Sequence, residues 1–62
     1  MTNLEIKKHA ARFAEDLAAH AEFLEPEDAW YRWSLARSVS GPAARHLFEK
    51  VYQVRMARLA KH

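Results

Sequence analysis

The sequence predicts an all-α fold of three helices in the order long, short, long. Three observations carry this. The 62 residues include one Gly and two Pro, too few turn-formers for a sheet with many reversals. Ala, Leu, Glu, Arg and Lys fill most other positions, and all favour helix. Both prolines, Pro26 and Pro42, stand where a helix can begin, with their missing N–H at no cost in the first turn. The segments run over about 3–24, 26–38 and 42–60, within one domain covering 1–62.

The first helix is expected to start at Thr2. Thr2 and Glu5 have the spacing of a capping box, in which each side chain accepts the other's free backbone N–H. Ile6, Ala10, Phe13, Leu17, His20 and Leu24 follow at alternating steps of four and three, the rhythm of a helix–helix seam. Ala14 and Ala21 widen that stripe, while Lys8, Arg12, Glu15, Ala19 and Glu22 take the opposite face. Helical geometry is disfavoured at the residue before Pro26, which places the end near Leu24.

The second helix opens on Glu25-Pro26-Glu27-Asp28, with acids at the positive end of the helix dipole. It has two apolar sides. Ala29, Trp30, Trp33 and Ala36 form one; Tyr31, Leu35 and Val39 form the other. A helix in a small monomeric bundle needs one buried stripe, so the second side is either a further contact surface or the mark of a central helix wrapped by its neighbours. Ser38-Val39-Ser40-Gly41-Pro42 breaks the chain, with Ser40 or Gly41 as cap and Pro42 as first residue of the third helix. The apolar face there is Ala44, Leu47, Phe48, Val51, Val54 and Leu59, with Tyr52 at its margin. Arg55 and Arg58 project from the same face; they either reach water or meet carboxylates of the acidic segment.

Charge is divided along the chain. Glu15, Asp16, Glu22, Glu25, Glu27 and Asp28 lie in a stretch without Lys or Arg. From Trp30 onward come Arg32, Arg37, Arg45, Lys50, Arg55, Arg58 and Lys61, with Glu49 as the lone acid. The net charge of +2 conceals this division, which predicts an acidic and a basic surface, each able to hold a partner or the other. A chain this short buries only about 60% of its unfolded surface. Without Cys it has no disulfide or thiolate metal site to compensate. Together with the two-sided second helix, this predicts a homodimer. The first residues form no apolar leader, and no run approaches the ~20 residues that span a bilayer; the expected setting is cytoplasmic.

Ser38-Val39-Ser40, followed by Ala44 and Leu47 at the appropriate offsets, resembles the turn and recognition-helix start of bacterial helix-turn-helix regulators. The resemblance covers Trp33 to Gln53. It implies Ser40 as cap and Arg45, His46, Glu49, Lys50 and Gln53 as a polar face that enters the major groove. The chain departs from that motif at Ser38, where Gly is usual, and at Arg37, where an aliphatic residue is usual.

Trp30, Tyr31 and Trp33 crowd one helical turn. The Trp pair reads as core, and Tyr31, with Leu35 and Val39, as a protein-binding patch. Of the histidines His9, His20, His46 and His62, His20 lies one turn after Asp16. That pair reads as a hydrogen-bonded seam contact, because no second ligand-rich helix completes a metal site. Catalysis has little support: Glu22, Glu25, Glu27 and Asp28 sit at a helix end and start, where acids are routine, and there is no phosphate loop, no Cys, and no Ser beside a plausible His–acid pair. The sequence therefore predicts a non-enzymatic interaction protein without cofactor or metal. It would dock through Tyr31, Leu35 and Val39, with Arg32, Arg37, Arg45 and Arg55 as charged contacts, and modulate a larger protein. The alternative is a small DNA-binding regulator using Arg45, His46, Lys50 and Gln53.

Overall fold

The computed structural model describes residues 1–61, so His62 lies outside the described residues. Three helices are present and no strand among the described residues: α1 (Asn3–Ala19), α2 (Pro26–Arg37) and α3 (Pro42–Ala60). The particle measures 32 × 18 × 15 Å.

The capping box forms as expected. The Thr2 N–H donates to Glu5 Oε1 at 2.9 Å and the Glu5 N–H to Thr2 Oγ1 at 3.2 Å. The Thr2 backbone N–H foremost, and its hydroxyl next, hold the exposed Glu5 carboxyl below its ordinary pKa. At its other end α1 stops at Ala19, well short of the expected Leu24. His20 closes the helix and Ala21 takes a left-handed φ of +55°. The Glu22 N–H then reaches back to the Leu17 carbonyl at 2.8 Å, and the Ala21 N–H to that of Ala18 at 3.0 Å. This is a Schellman stop built on Ala instead of Gly. A tertiary clamp stands beyond it: the Tyr52 hydroxyl donates to the Leu24 carbonyl at 2.7 Å and accepts the Leu24 N–H at 3.3 Å. Both backbone groups of Leu24 are thereby satisfied outside any helix. His20 and Ala21, expected in the seam, are exposed.

Glu25 is extended before Pro26, as a residue preceding proline should be, and Glu27 and Asp28 occupy the first turn of α2. The α2–α3 turn again uses a left-handed residue, Ser38 (φ 55°, ψ 39°), with the Val39 N–H on the Ser34 carbonyl at 3.1 Å. Gly41 (φ 116°), not Ser40, is the N-cap of α3, and no side chain caps it.

The central element is α3, which packs on both α1 and α2; the alternative with the second helix at the centre does not hold. Ile6, Ala10 and Ala14 of α1, Ala29, Trp30 and Trp33 of α2, and Phe48, Tyr52 and Met56 of α3 form the core. Phe48 is its hub. Trp33 stacks on it at 4.7 Å between centroids (24°), Trp30 meets it edge-on at 5.7 Å (62°), and Phe13 lies 6.1 Å away. The buried stripe of α3 is thus rotated from the expected one. Tyr52 is fully buried instead of marginal, Met56 joins the core, and Val54 is 49% exposed. Helices α1 and α3 run in the same direction, since Phe13 meets Phe48 and, further along both, Glu15 pairs with Arg55. Trp30 and Trp33 seat α2 on the same ring of Phe48.

Candidate functional site

The outer side of α2 carries the largest exposed apolar pair on any one helix face. Tyr31 is 66% and Leu35 68% exposed, one turn apart and therefore on one side. The Ser34 hydroxyl donates back to the Tyr31 carbonyl at 3.3 Å. The left-handed Ser38 turns the chain so that Val39 packs half-buried against the core. Tyr31, Leu35 and Val39, with Ser34, Ser38 and Ser40, line one shallow groove of about 330 Å³.

Ser34, Val39 and Ser40 are shared with a second groove, of about 400 Å³, that Trp30 and Arg45 also line. Arg45 Nε donates to Glu49 Oε2 at 2.7 Å within α3. Four of the residues expected to bind a partner, Tyr31, Leu35, Val39 and Arg45, therefore meet around the α2–α3 turn. The other three do not join them there. Arg32 is exposed on α2. Arg37 faces a cleft with Lys8, His9, Arg12 and Asp16. Arg55 Nη1 donates to Glu15 Oε2 at 2.6 Å between α3 and α1, answering in part whether the basic half meets the chain's own acids.

Along α3, His46, Lys50 and Gln53 are exposed and fall on one stripe by helical spacing, while Arg45 sits on the flank toward α2. The acidic linker lies near the C-terminal part of α3, where Phe23, Glu25 and Pro26 share a groove with Gln53, Met56 and Ala60. The α2–α3 turn is at the opposite end of α3. His20 is exposed rather than bonded in the seam, and Asp16 pairs weakly with Arg12 at 3.8 Å. His9 instead lies 5.6 Å from the Trp33 ring. Among the described residues no group of three or more His, Cys, Asp or Glu side chains is placed to hold a metal, and no helix is long and apolar enough to cross a membrane.

Sequence reasoning missed two surfaces. One is a groove between α1 and α3 with an apolar lining and basic residues around it. The other is Phe23, 64% exposed in the acidic linker. Val54 signals the first, since it stands half a turn from the Phe48–Tyr52–Met56 stripe. Nothing in the sequence marks the second, because Phe23 precedes Leu24 in what reads as helix. Comparison with known proteins finds no match: no family model, no curated protein and no solved structure is significantly similar to this chain.

Proposed function

We propose that this chain is a non-enzymatic interaction protein that docks on a larger protein and masks part of it, and that it works as a homodimer. The observation that carries this reading is the pair Tyr31 and Leu35, each about two thirds exposed on α2 with no intramolecular partner. Tyr supplies large contact area with few rotors to immobilise, which is why it recurs at the centres of interfaces. Val39 forms the inner wall of the groove beside them. Arg45, which lines the adjoining groove, gives the patch a positive border once it exchanges Glu49 for an acidic partner surface, and such a charge raises the encounter rate more than the affinity.

The test is capture of a partner by the tagged chain and by its Leu35→Asp variant. Leu35 is exposed, so the variant should keep its helicity by circular dichroism. A carboxylate in the centre of the patch should cost about 2 kcal/mol, roughly thirty-fold in Kd. A variant that captures the same partner as well as the parent chain refutes the patch.

A second reading, a DNA-binding regulator, is favoured by one observation. Ser38 adopts the left-handed conformation at the position where the helix-turn-helix motif usually has Gly. The acidic linker stands beside Gln53 and the C-terminal part of α3, so phosphates over the turn, Arg45 and His46 would be clear of those carboxylates, while Gln53 would not. Here His46, Lys50 and Gln53 would contact DNA, and Arg45 would first have to leave Glu49. Affinity for a duplex that falls steeply with salt and with Arg45→Ala would select this reading over masking.

A further inference from the structure

Two unfilled surfaces of this molecule match each other in chemistry. The first is the groove of about 420 Å³ between α1 and α3, within the size range of small-ligand pockets. Its apolar lining is Leu47, Val51 and Val54, and Lys7, Lys50 and Arg58 stand around it. None of these three cations is in an ion pair among the described residues. The second surface is the linker after α1. Phe23 projects from it 64% exposed, and its neighbours Glu22, Glu25, Glu27 and Asp28 are likewise outside every ion pair among the described residues.

We propose that Phe23 of one copy seats in the α1–α3 groove of a second copy, with the flanking carboxylates set against Lys7, Lys50 and Arg58. A chain cannot make this contact with itself. Its own Phe23 lies against the Gln53, Met56 and Ala60 side of α3, whereas the groove opens on the Lys50, Val54 and Arg58 side. The ring supplies the apolar burial, and the several opposed charges acting together supply orientation and the salt-sensitive share of a weak affinity, which one exposed pair alone would not. A second copy fits better than an anionic bilayer, because it brings an exposed aromatic ring and carboxylates together to one apolar groove with a basic rim. The contact joins two different surfaces. Made reciprocally it closes a dimer, and made singly it extends a chain. It leaves Tyr31 and Leu35 free, so it rests on the proposed self-association but not on the partner patch.

The experiment is solution mass by sedimentation equilibrium, up to about 1 mM because a contact this small is at the weak end of specific interfaces. At low salt the average mass should rise well above the 7.2 kDa of one chain. It should fall back as added salt shortens the screening length to about 3 Å. Phe23→Ser and Lys50→Glu each change an exposed residue, so each should keep full helicity and stay at one chain. An equal mixture of the two should regain mass, since one variant keeps its groove and the other its Phe23. Leu35→Asp should associate like the parent chain, and Phe23→Ser should still capture a masked partner, which separates this proposal from the previous one. Four results would overturn it: a single-chain mass at every concentration, a mixture that fails to recover, association lost with Leu35→Asp but kept with Phe23→Ser, or a monomer that binds phosphatidylserine vesicles through Lys50.

Discussion

Replacing Tyr52 by Phe removes one oxygen from the middle of the fold. Tyr52 is 1% exposed, and its ring is held on Phe48, 6.2 Å away and nearly parallel at 7°; Phe can keep that packing. What is lost is the pair of bonds to Leu24, at 2.7 Å to its carbonyl and 3.3 Å from its N–H. A buried polar group left without a partner costs about 1–3 kcal/mol. Leu24 is half-buried, so water recovers part of this, and the expected loss is about 1.5 kcal/mol. For a domain of this size 1 kcal/mol moves Tm by about 4–8 °C, which gives a Tm about 6–12 °C lower. The effect also depends on pH. Burial pushes the Tyr52 hydroxyl above its ordinary 10.0; the Leu24 N–H opposes this, and the Glu25 charge adds to it. The folded chain therefore holds that proton more tightly than the unfolded chain. Its contribution is complete below the unfolded pKa of about 10 and is lost as pH rises through the raised value. Urea melts followed at 222 nm for both chains, from neutral pH upward, should show a gap that is constant below about pH 10 and narrows above it. A variant within about 0.5 kcal/mol of the parent at neutral pH, or a gap that widens in alkali, would refute the clamp.

Ala21→Gly should stabilise the fold. Relief of a left-handed Ala is worth about 1–2 kcal/mol and the added freedom of the unfolded chain costs about 0.4–1, so a Tm rise of a few degrees is expected, and a fall would mean that the left-handed stop of α1 is misplaced. Trp33 Nε1 is buried without a hydrogen-bond partner; the benzothienylalanine analogue at this one position, made by chemical synthesis, removes the stranded N–H and should gain about 1 kcal/mol in urea melts, whereas a loss would indicate a partner for that N–H. A double-mutant cycle on Glu15→Gln and Arg55→Gln should return a coupling of no more than about 1 kcal/mol that shrinks with salt, since both groups are partly exposed; a larger, salt-insensitive coupling would contradict a surface pair.

The helix count, both proline starts and the Thr2–Glu5 cap were legible because each rests on local chemistry within four residues. The end of α1 was not. Its stop is an Ala in a conformation that ordinarily calls for Gly, and the clamp that secures the linker is a bond between residues 28 apart. The same cause misplaced the α3 stripe: Ala44, Leu47, Val51, Val54 and Met56 surround the helix, so periodicity alone offers more than one buried face, and Trp30 and Trp33 decide which is used. Of the candidate patch, Tyr31 and Leu35 could be read from their spacing opposite the Trp side. Arg37 and Arg55 could not be separated from Arg45 without knowing that α1 stands beside the first two.

The exposure of α2 follows from which helix this small chain places at its centre. With α3 in the middle, α2 seats itself on Phe48 through Ala29, Trp30 and Trp33, the buried residues of its 12. Tyr31 and Leu35 are then surplus to the fold. Exposed apolar side chains scattered singly need no explanation, but these two stand one turn apart, above a groove walled by Val39 and bordered by an arginine. The charge division supports the same economy: only Glu15 and Arg55 join the acidic stretch to the basic half within one chain among the described residues. Glu22, Glu25, Glu27 and Asp28, and Lys7, Lys50 and Arg58 beside the α1–α3 groove, are in no ion pair among the described residues, and on the proposed self-contact their complementary fields would act between molecules.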